Sequence, residues 1–367
     1  MIRSDLAGVP PYVPGKKPPH ALVVASNETT QGPLPSVARA IADAAGGVNR
    51  YPDMSVAALR AAIAAWFAKS AEGLRIDMDN IATGNGSTAL CQQAIQATCH
   101  DGDEVLFAWR SFEAYPILSQ VVGAKPVMVP LTEDHRHDFP AMLKAITDRT
   151  RLIFVCNPNN PSGTVMTHAE VLDFLHQVPQ RITVILDEAY MEYDRSPEAV
   201  NAAEILRLFP NVAVCRTFSK AYGLAGLRLG YMVGGAEFIM AVNKVALPFG
   251  VNALAQAAGL ASIDATDDEL KDRVDATVTQ RERLLQAVPE ELRIPSQGNF
   301  ILLPLGAQAE AVDAELKKEG VVARCFPGEG VRITATTAEE TDKVIAALTP
   351  ALATVGGARW GGRPQES

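Results

Sequence analysis

The chain has 367 residues, more than one hydrophobic core of about 100–150 residues supports, so two unequal domains are expected. Hydrophobic residues make up 48% and charged residues 20%, which excludes a disordered or coiled-coil chain; 33 Lys+Arg against 42 Asp+Glu, a net charge of -9, argues against an extended nucleic-acid footprint. Five cysteines (Cys91, Cys99, Cys156, Cys215, Cys325) form an odd set without C-x-x-C spacing, as expected of small buried side chains in a reducing cytoplasm and not of a disulfide framework or zinc knuckle.

The first twenty residues hold Pro10, Pro11, Pro14, Pro18 and Pro19 and no apolar run of a secretory signal. Apolar stretches such as 61–68 fall short of the roughly 20 residues a membrane span needs, so a soluble, cytoplasmic chain is expected. Residues 1–54 read as an extended segment lying across the smaller domain. Ala-rich composition predicts helices over 56–69 and 87–98, and Thr167-His-Ala-Glu170 has the form of a capping box. Between the helical patterns lie short runs at 104–108, 125–129, 152–156, 183–186 and 211–215 that are continuously apolar and do not alternate. Such runs predict strands covered on both faces, hence a mainly parallel sheet in a large α/β domain over 55–242. After Pro248 the pattern changes to helices at 252–262 and 267–287 and strands at 299–303 and 330–334, an α+β texture for a smaller domain over 243–355. The Gly-rich, polar tail 356–367 is expected to be disordered.

In open α/β sheets, ligands bind at the carboxyl ends of strands, and four such turns carry chemistry. Thr83-Gly84-Asn85-Gly86-Ser87-Thr88 follows a strand-like 80–82 and opens a helix, so its glycines, N–H groups and hydroxyls could hold a phosphate. An ordinary strand-to-helix turn explains it as well. Gly84-x-Gly86-x-x-Ala89 also fits a loose dinucleotide fingerprint, but the acid expected at the end of the next strand is missing, since Asp103 and Glu104 precede that run. Asn157-Pro-Asn-Asn160-Pro-Ser-Gly163 holds amide donors rigidly above a strand end. Asp187, in Asp187-Glu-Ala-Tyr190, directly follows a very apolar strand and is expected to have a positive partner, because a buried carboxylate is otherwise costly. In 216–228, Lys220 sits among hydroxyls in an apolar segment with Arg228 eight residues on; burial and a neighbouring cation both lower a lysine's pKa and make it a usable nucleophile and base. Each turn has a plain structural reading. Together, a phosphate cup, a buried carboxylate, an amide and an activated lysine are what a pyridoxal 5'-phosphate site requires.

N-P-N-N-P-S-G, D-E-A-Y and S-K-A-Y-G-L-A-G-L-R at these separations resemble the fold-type I, class I/II aminotransferases, and within them the histidinol-phosphate aminotransferase subfamily, over residues 22–348. The resemblance implies that Lys220 holds pyridoxal phosphate as a Schiff base and moves the substrate proton, that Asp187 faces the pyridine nitrogen, and that Tyr190 and Asn160 hydrogen-bond the ring's phenolic oxygen. Phe112 falls where the family stacks an aromatic on the ring. Gly86, Ser87, Thr88, Thr217, Ser219 and Arg228 match the phosphate contacts. Tyr51 matches a tyrosine that reaches the neighbouring subunit's cofactor phosphate, which implies a homodimer with shared active sites and a dimer partner for the segment 1–54. Arg332 matches the clamp on the substrate's α-carboxylate; Arg324, in a similar strand context, and Asn27 are further substrate-site candidates.

Three departures bear on substrate. Ser26-Asn27-Glu28-Thr29 stands where the histidinol-phosphate branch usually has N-E-N-P, Gly86-Ser87-Thr88-Ala89 where it has G-S-D-E, and Trp109-Arg110-Ser111-Phe112 precedes the first helix of that region. These variants resemble the actinobacterial branch of aromatic amino acid (phenylalanine) aminotransferases, so transfer of the amino group of phenylalanine, tyrosine or tryptophan to a 2-oxo acid is expected, with histidinol phosphate as the alternative. His135-Arg-His137 between Asp134 and Asp138 has metal-ligand residue types but reads better as a solvated loop.

Overall fold

In the computed structural model, residue 8 and residues 19–69, 73–265 and 269–354 are described; the tail 356–367 and most of the proline-rich opening lie outside them. The strands are β1 (Leu22–Val23), β2 (Ile81–Gly84), β3 (Glu104–Trp109), β4 (Lys125–Pro130), β5 (Thr150–Cys156), β6 (Thr183–Asp187), β7 (Val212–Thr217), β8 (Gly230–Val233), β9 (Phe300–Leu303), β10 (Val321–Val322), β11 (Arg324–Phe326) and β12 (Gly330–Thr334).

A seven-stranded sheet runs in the order β2-β8-β7-β6-β5-β3-β4. Strands β3 to β7 pair in parallel, and β8 runs against both of its neighbours. The continuous apolar runs have the meaning expected of them. Along β5, Leu152, Phe154 and Cys156 enter one core while Ile153 and Val155 enter the other, and all five are buried. Burying each large apolar side chain contributes about 1.5–3 kcal/mol, so a sheet covered on both faces is the main source of stability here. Helix Ser87–Thr98 supplies Leu90, Cys91, Ala94 and Ile95 to one face, and the capping box at Thr167 starts helix His168–Gln177 on the other.

Two strands depart from expectation. β8 was not legible, because four residues opening on a glycine give too short a signal, yet it is wholly buried. β4 is an edge strand, not one covered on both faces; Lys125 and Met128 are exposed, as the end of a sheet allows.

A second, antiparallel sheet runs β11-β12-β9 and has its own core, built with helices Ala309–Lys318, Ala338–Ala353 and part of Glu269–Ala287. The N-terminal segment contributes to both cores. β1 pairs in parallel with β10 and Val24 joins the smaller core, whereas Leu34 and Val37 join the large one as helix Pro35–Ala44 packs on Ala253–Asp264. No helix among the described residues is long and apolar enough to cross a membrane.

Candidate active site

A cavity of about 1060 Å³ opens at the carboxyl ends of the parallel strands, between the large sheet and the smaller one. Its wall includes thirteen of the residues singled out from the sequence: Asn27, Ser87, Thr88, Phe112, Asn160, Asp187, Tyr190, Thr217, Ser219, Lys220, Arg228, Arg324 and Arg332. Gly86 sits just behind Ser87. Tyr51 lies outside this cavity, 83% exposed and stacked on Phe249 with ring centroids 4.6 Å apart.

The floor is made where β5, β6 and β7 end in register. Asp187 is 3% exposed, and Tyr115 Oη donates to its Oδ2 at 2.6 Å, while Oδ1 is buried without a partner. Burial dominates and pushes the carboxyl up to about 6, although the Tyr115 hydrogen bond and the Ala189 N–H pull it down and Glu188 raises it. Among the described residues no side-chain cation is seen on Asp187; Arg216, at the end of the neighbouring strand, pairs with Glu188 through Nε at 2.8 Å and Nη2 at 2.7 Å. An orphaned carboxylate oxygen in a cavity wall is a seat for an external cationic N–H, which is the feature a protonated pyridine ring would satisfy.

One end of the cavity is shaped for an anion. Gly86 caps helix Ser87–Thr98 at φ +79° and has no side chain with which to close the first turn, so the helix N-terminus faces the site with its N–H groups available. A Cβ on Gly86 would lie 2.6 Å from Arg228 Nη2, so only glycine lets that guanidinium approach the turn. A Cβ on Gly230 would meet Ser87 N at 2.4 Å, which explains why the reversed strand β8 begins with glycine. Thr217 ends β7 and Ser219 follows it, with Ser219 N donating to Thr217 Oγ1 at 3.1 Å.

Lys220 Nζ donates to the Ser26 carbonyl at 3.0 Å and lies 5.8 Å from the centre of the Tyr190 ring. Burial first, then Arg332 and Arg228, lower its pKa to about 8, against a raising contribution from Glu28. Arg332, 6% exposed on β12, donates to the Ala25 carbonyl at 2.6 Å and to Asn160 Oδ1. Asn27, at φ +53°, is clamped: its Nδ2 donates to Tyr190 Oη at 3.0 Å, its N–H to Thr334 Oγ1, and its carbonyl accepts from Asn299. Burial pushes the Tyr190 phenol up to about 12, with Arg332 and Asn27 opposing.

Over residues 19–348 the chain matches the family described as "Aminotransferase class I and II". The chain belongs to this family. Proteins named aromatic amino acid aminotransferase from Corynebacterium jeikeium and Rhodococcus jostii are 59% and 53% identical to it; the alignments cover 97% and 95% of this chain and 95% of each relative. A solved histidinol-phosphate aminotransferase from Sinorhizobium meliloti, described in complex with pyridoxal-5'-phosphate, superposes with a TM-score of 0.84 at 29% identity, covering 91% of this chain and 92% of that one. The fold is therefore that of the fold-type I aminotransferases, with a central, mostly parallel sheet.

Two features of this aminotransferase's site were not found from sequence. Tyr115 sits three residues after Phe112 in helix Ala114–Val122, stacked on Phe154 with centroids 4.2 Å apart, and reads as core until its hydroxyl is seen on Asp187. The available signal was a phenol in an apolar helix, since a buried Tyr hydroxyl needs a partner. Glu113 meets Arg324 from the opposite side of the cavity, a pairing across 211 residues that no local pattern announces. The 134–138 loop also needs correction. His137 is buried, not solvated: its Nε2 lies 3.3 Å from Asn159 Oδ1, and burial pushes the imidazole down to about 4. Among the described residues no group of three or more His, Cys, Asp or Glu is arranged to hold a metal.

Proposed function

We propose that this aminotransferase moves the amino group of phenylalanine, tyrosine or tryptophan to a 2-oxo acid by ping-pong transamination. The observation that carries the substrate class is the identity above 50%, across nearly the whole chain, to relatives bearing the aromatic name. Pyridoxal 5'-phosphate is the cofactor of such an enzyme, and when bound it supplies an electron sink next to the substrate's Cα. The residues of this chain fit it. Asp187 Oδ1 would accept the pyridine N–H and keep that nitrogen protonated. The N–H groups of Ser87 and Thr88 at the helix start, the hydroxyls of Thr217 and Ser219, and Arg228 would hold the phosphate. Phe112 would cover the ring, and Tyr190 and Asn160 would hydrogen-bond its phenolic oxygen.

Arg332 takes the substrate α-carboxylate, and Asn27 holds the Tyr190 hydroxyl in place. Lys220 is the base: with its pKa lowered to about 8, a useful fraction of Nζ is neutral near pH 7.5, and this atom moves the proton away from the substrate Cα. The large sheet with its helices acts as the cofactor domain, and the domain that carries the clamp begins later than residue 243, because Val251, Ala255, Ala258, Leu270 and Val274 join the large core and the smaller core starts within helix Glu269–Ala287 at Leu284.

A homodimer with shared sites is part of the reading. Tyr51 and Phe249 are exposed together with Val48, Met54, Val245 and Leu247, an amount of bare apolar surface suited to a second copy of the chain, and Tyr51 then reaches the partner's phosphate. The deciding experiment compares kcat/KM for phenylalanine and histidinol phosphate on one preparation, with Lys220→Ala as control. Preference for phenylalanine and loss of turnover in Lys220→Ala are expected. A clear preference for the phosphate ester reverses the substrate reading, and turnover retained by Lys220→Ala removes the assignment of the base.

A further inference from the structure

Glu113 follows Phe112 in the turn after β3, and its carboxylate reaches the smaller sheet. Both its oxygens lie within hydrogen-bond distance of Arg324 Nη2, at 2.9 and 2.8 Å. Arg324 and Arg332 are direct partners across β11 and β12, and directly opposite residues of an antiparallel pair share a face, so both guanidinium groups are presented toward the cavity they line. Arg332 reaches inward to the Ala25 carbonyl and to Asn160 Oδ1, and Arg324 meets a carboxylate.

The surrounding charges repeat that arrangement. Arg110 is held by Glu329, with its Nε 2.5 Å from Oε2, and Lys317, another residue of the cavity wall, is bonded to Asp313. Each of the three cations therefore lies against an acid, Arg110 also standing with its Nη1 3.9 Å from Glu113 Oε1, and the cavity wall adds Val322, Ala323 and Cys325. A guanidinium fork binds carboxylate and phosphate alike, so whether a rim arginine admits an anionic group depends on whether its charge is already matched.

We propose that Glu113 is a specificity-determining residue: by neutralising Arg324 it removes a second anion clamp beside Arg332 and selects aromatic amino acids, whose one α-carboxylate is met by a single guanidinium, over amino donors that carry a phosphate in place of that carboxylate. The inference rests on the aromatic reading above and supplies its selection against the alternative. An incoming phosphate must displace Glu113 from Arg324 and then remain beside the displaced carboxylate, so discrimination comes from repulsion as well as from the lost clamp. A carboxylate held by Arg332 alone meets neither obstacle.

The test follows the first half-reaction spectroscopically, without an acceptor, so that the charge of the 2-oxo acid does not enter. Second-order rate constants are measured for phenylalanine and histidinol phosphate with the wild-type holoenzyme, Glu113→Gln, Arg324→Gln and the double variant. Releasing one partly screened charge pair in Glu113→Gln is expected to raise the ratio of histidinol phosphate to phenylalanine by about tenfold, and the double variant is expected to return toward the wild-type ratio. Arg324→Gln alone is expected to lower the ratio, because it leaves the Glu113 carboxylate without its Arg324 partner.

A folded Glu113→Gln enzyme with an unchanged ratio overturns the proposal, and so does a gain that persists in the double variant. Should Glu113→Gln not fold, Glu113→Ser carries the same expectation, and an unchanged ratio in that variant overturns the proposal. Wild-type enzyme that prefers histidinol phosphate refutes the aromatic reading by itself, whatever the variants do.

Discussion

Asp187→Asn should make the empty protein relatively more stable as pH rises while making it a poorer host for its cofactor. Burial raises the Asp187 carboxyl from its ordinary 3.8 to about 6, which corresponds to about 3 kcal/mol of destabilisation once the group is forced to ionise in the folded chain. The cost is absent below 3.8, where folded and unfolded carboxyls are both protonated. It grows as pH rises toward about 6 and is complete above it. About 1.4 kcal/mol of the change falls between pH 5 and pH 8. Asparagine removes the titration, and whatever fixed penalty its amide adds is the same at every pH. Urea or thermal unfolding of the cofactor-free protein, run from pH 5 to pH 8 at constant ionic strength, should therefore show the variant gaining on wild type by that amount. Cofactor titration should move the other way. Loss of a charge-assisted hydrogen bond, worth about 1.5–3 kcal/mol, weakens binding roughly 10- to 150-fold. Stability curves that stay parallel across the pH range would refute the account of Asp187 as a buried carboxylate awaiting a cation.

Tyr115→Phe removes the one phenol that Asp187 accepts from, so the carboxyl should rise further; cofactor affinity, measured by titration of the empty protein, should fall severalfold, and unchanged affinity across pH 6–8 would show that the 2.6 Å contact has no positioning role. Mixing Tyr51→Ala with Lys220→Ala subunits should give heterodimers holding one intact site and one doubly altered site, detectable as activity above the mean of the two parents. No gain, or no dimer, contradicts sharing of sites between subunits.

The large sheet was legible because β3, β5, β6 and β7 are buried on both faces, and a run that needs no polar face leaves a signal in one dimension. The same signal marked where β5, β6 and β7 end, and hence Asn160, Asp187 and Lys220, whereas Phe112 came from the family resemblance alone. What it missed depends on contacts between distant segments. The partner of Asp187 could not be read from the strand that ends in it, since Tyr115 comes from a helix 72 positions away, while Arg216, one position past the register partner Cys215, faces the other side of the sheet and meets Glu188. Arg324 was recognised as a cation in a strand, but its neutralisation by Glu113 is a property of two sheets facing each other. His137 belongs to a charged stretch, and local polarity suggested solvent; Asn159 and Phe139 draw it inside.

Arg332 is a leading cause of the lowered pKa of Lys220, although the two residues come from different sheets and stand 112 positions apart. On the roles proposed here, cargo recognition and base strength are tuned by a single cation. Without substrate the field of Arg332 favours the neutral amine, the form able to attack. When a carboxylate docks on that guanidinium, the field is cancelled and the lysine becomes the stronger proton acceptor. A molecule with no anionic group to place on Arg332 would leave this tuning unchanged even if it fitted the cavity, so the site tests the charge of its cargo electrostatically before any bond is broken.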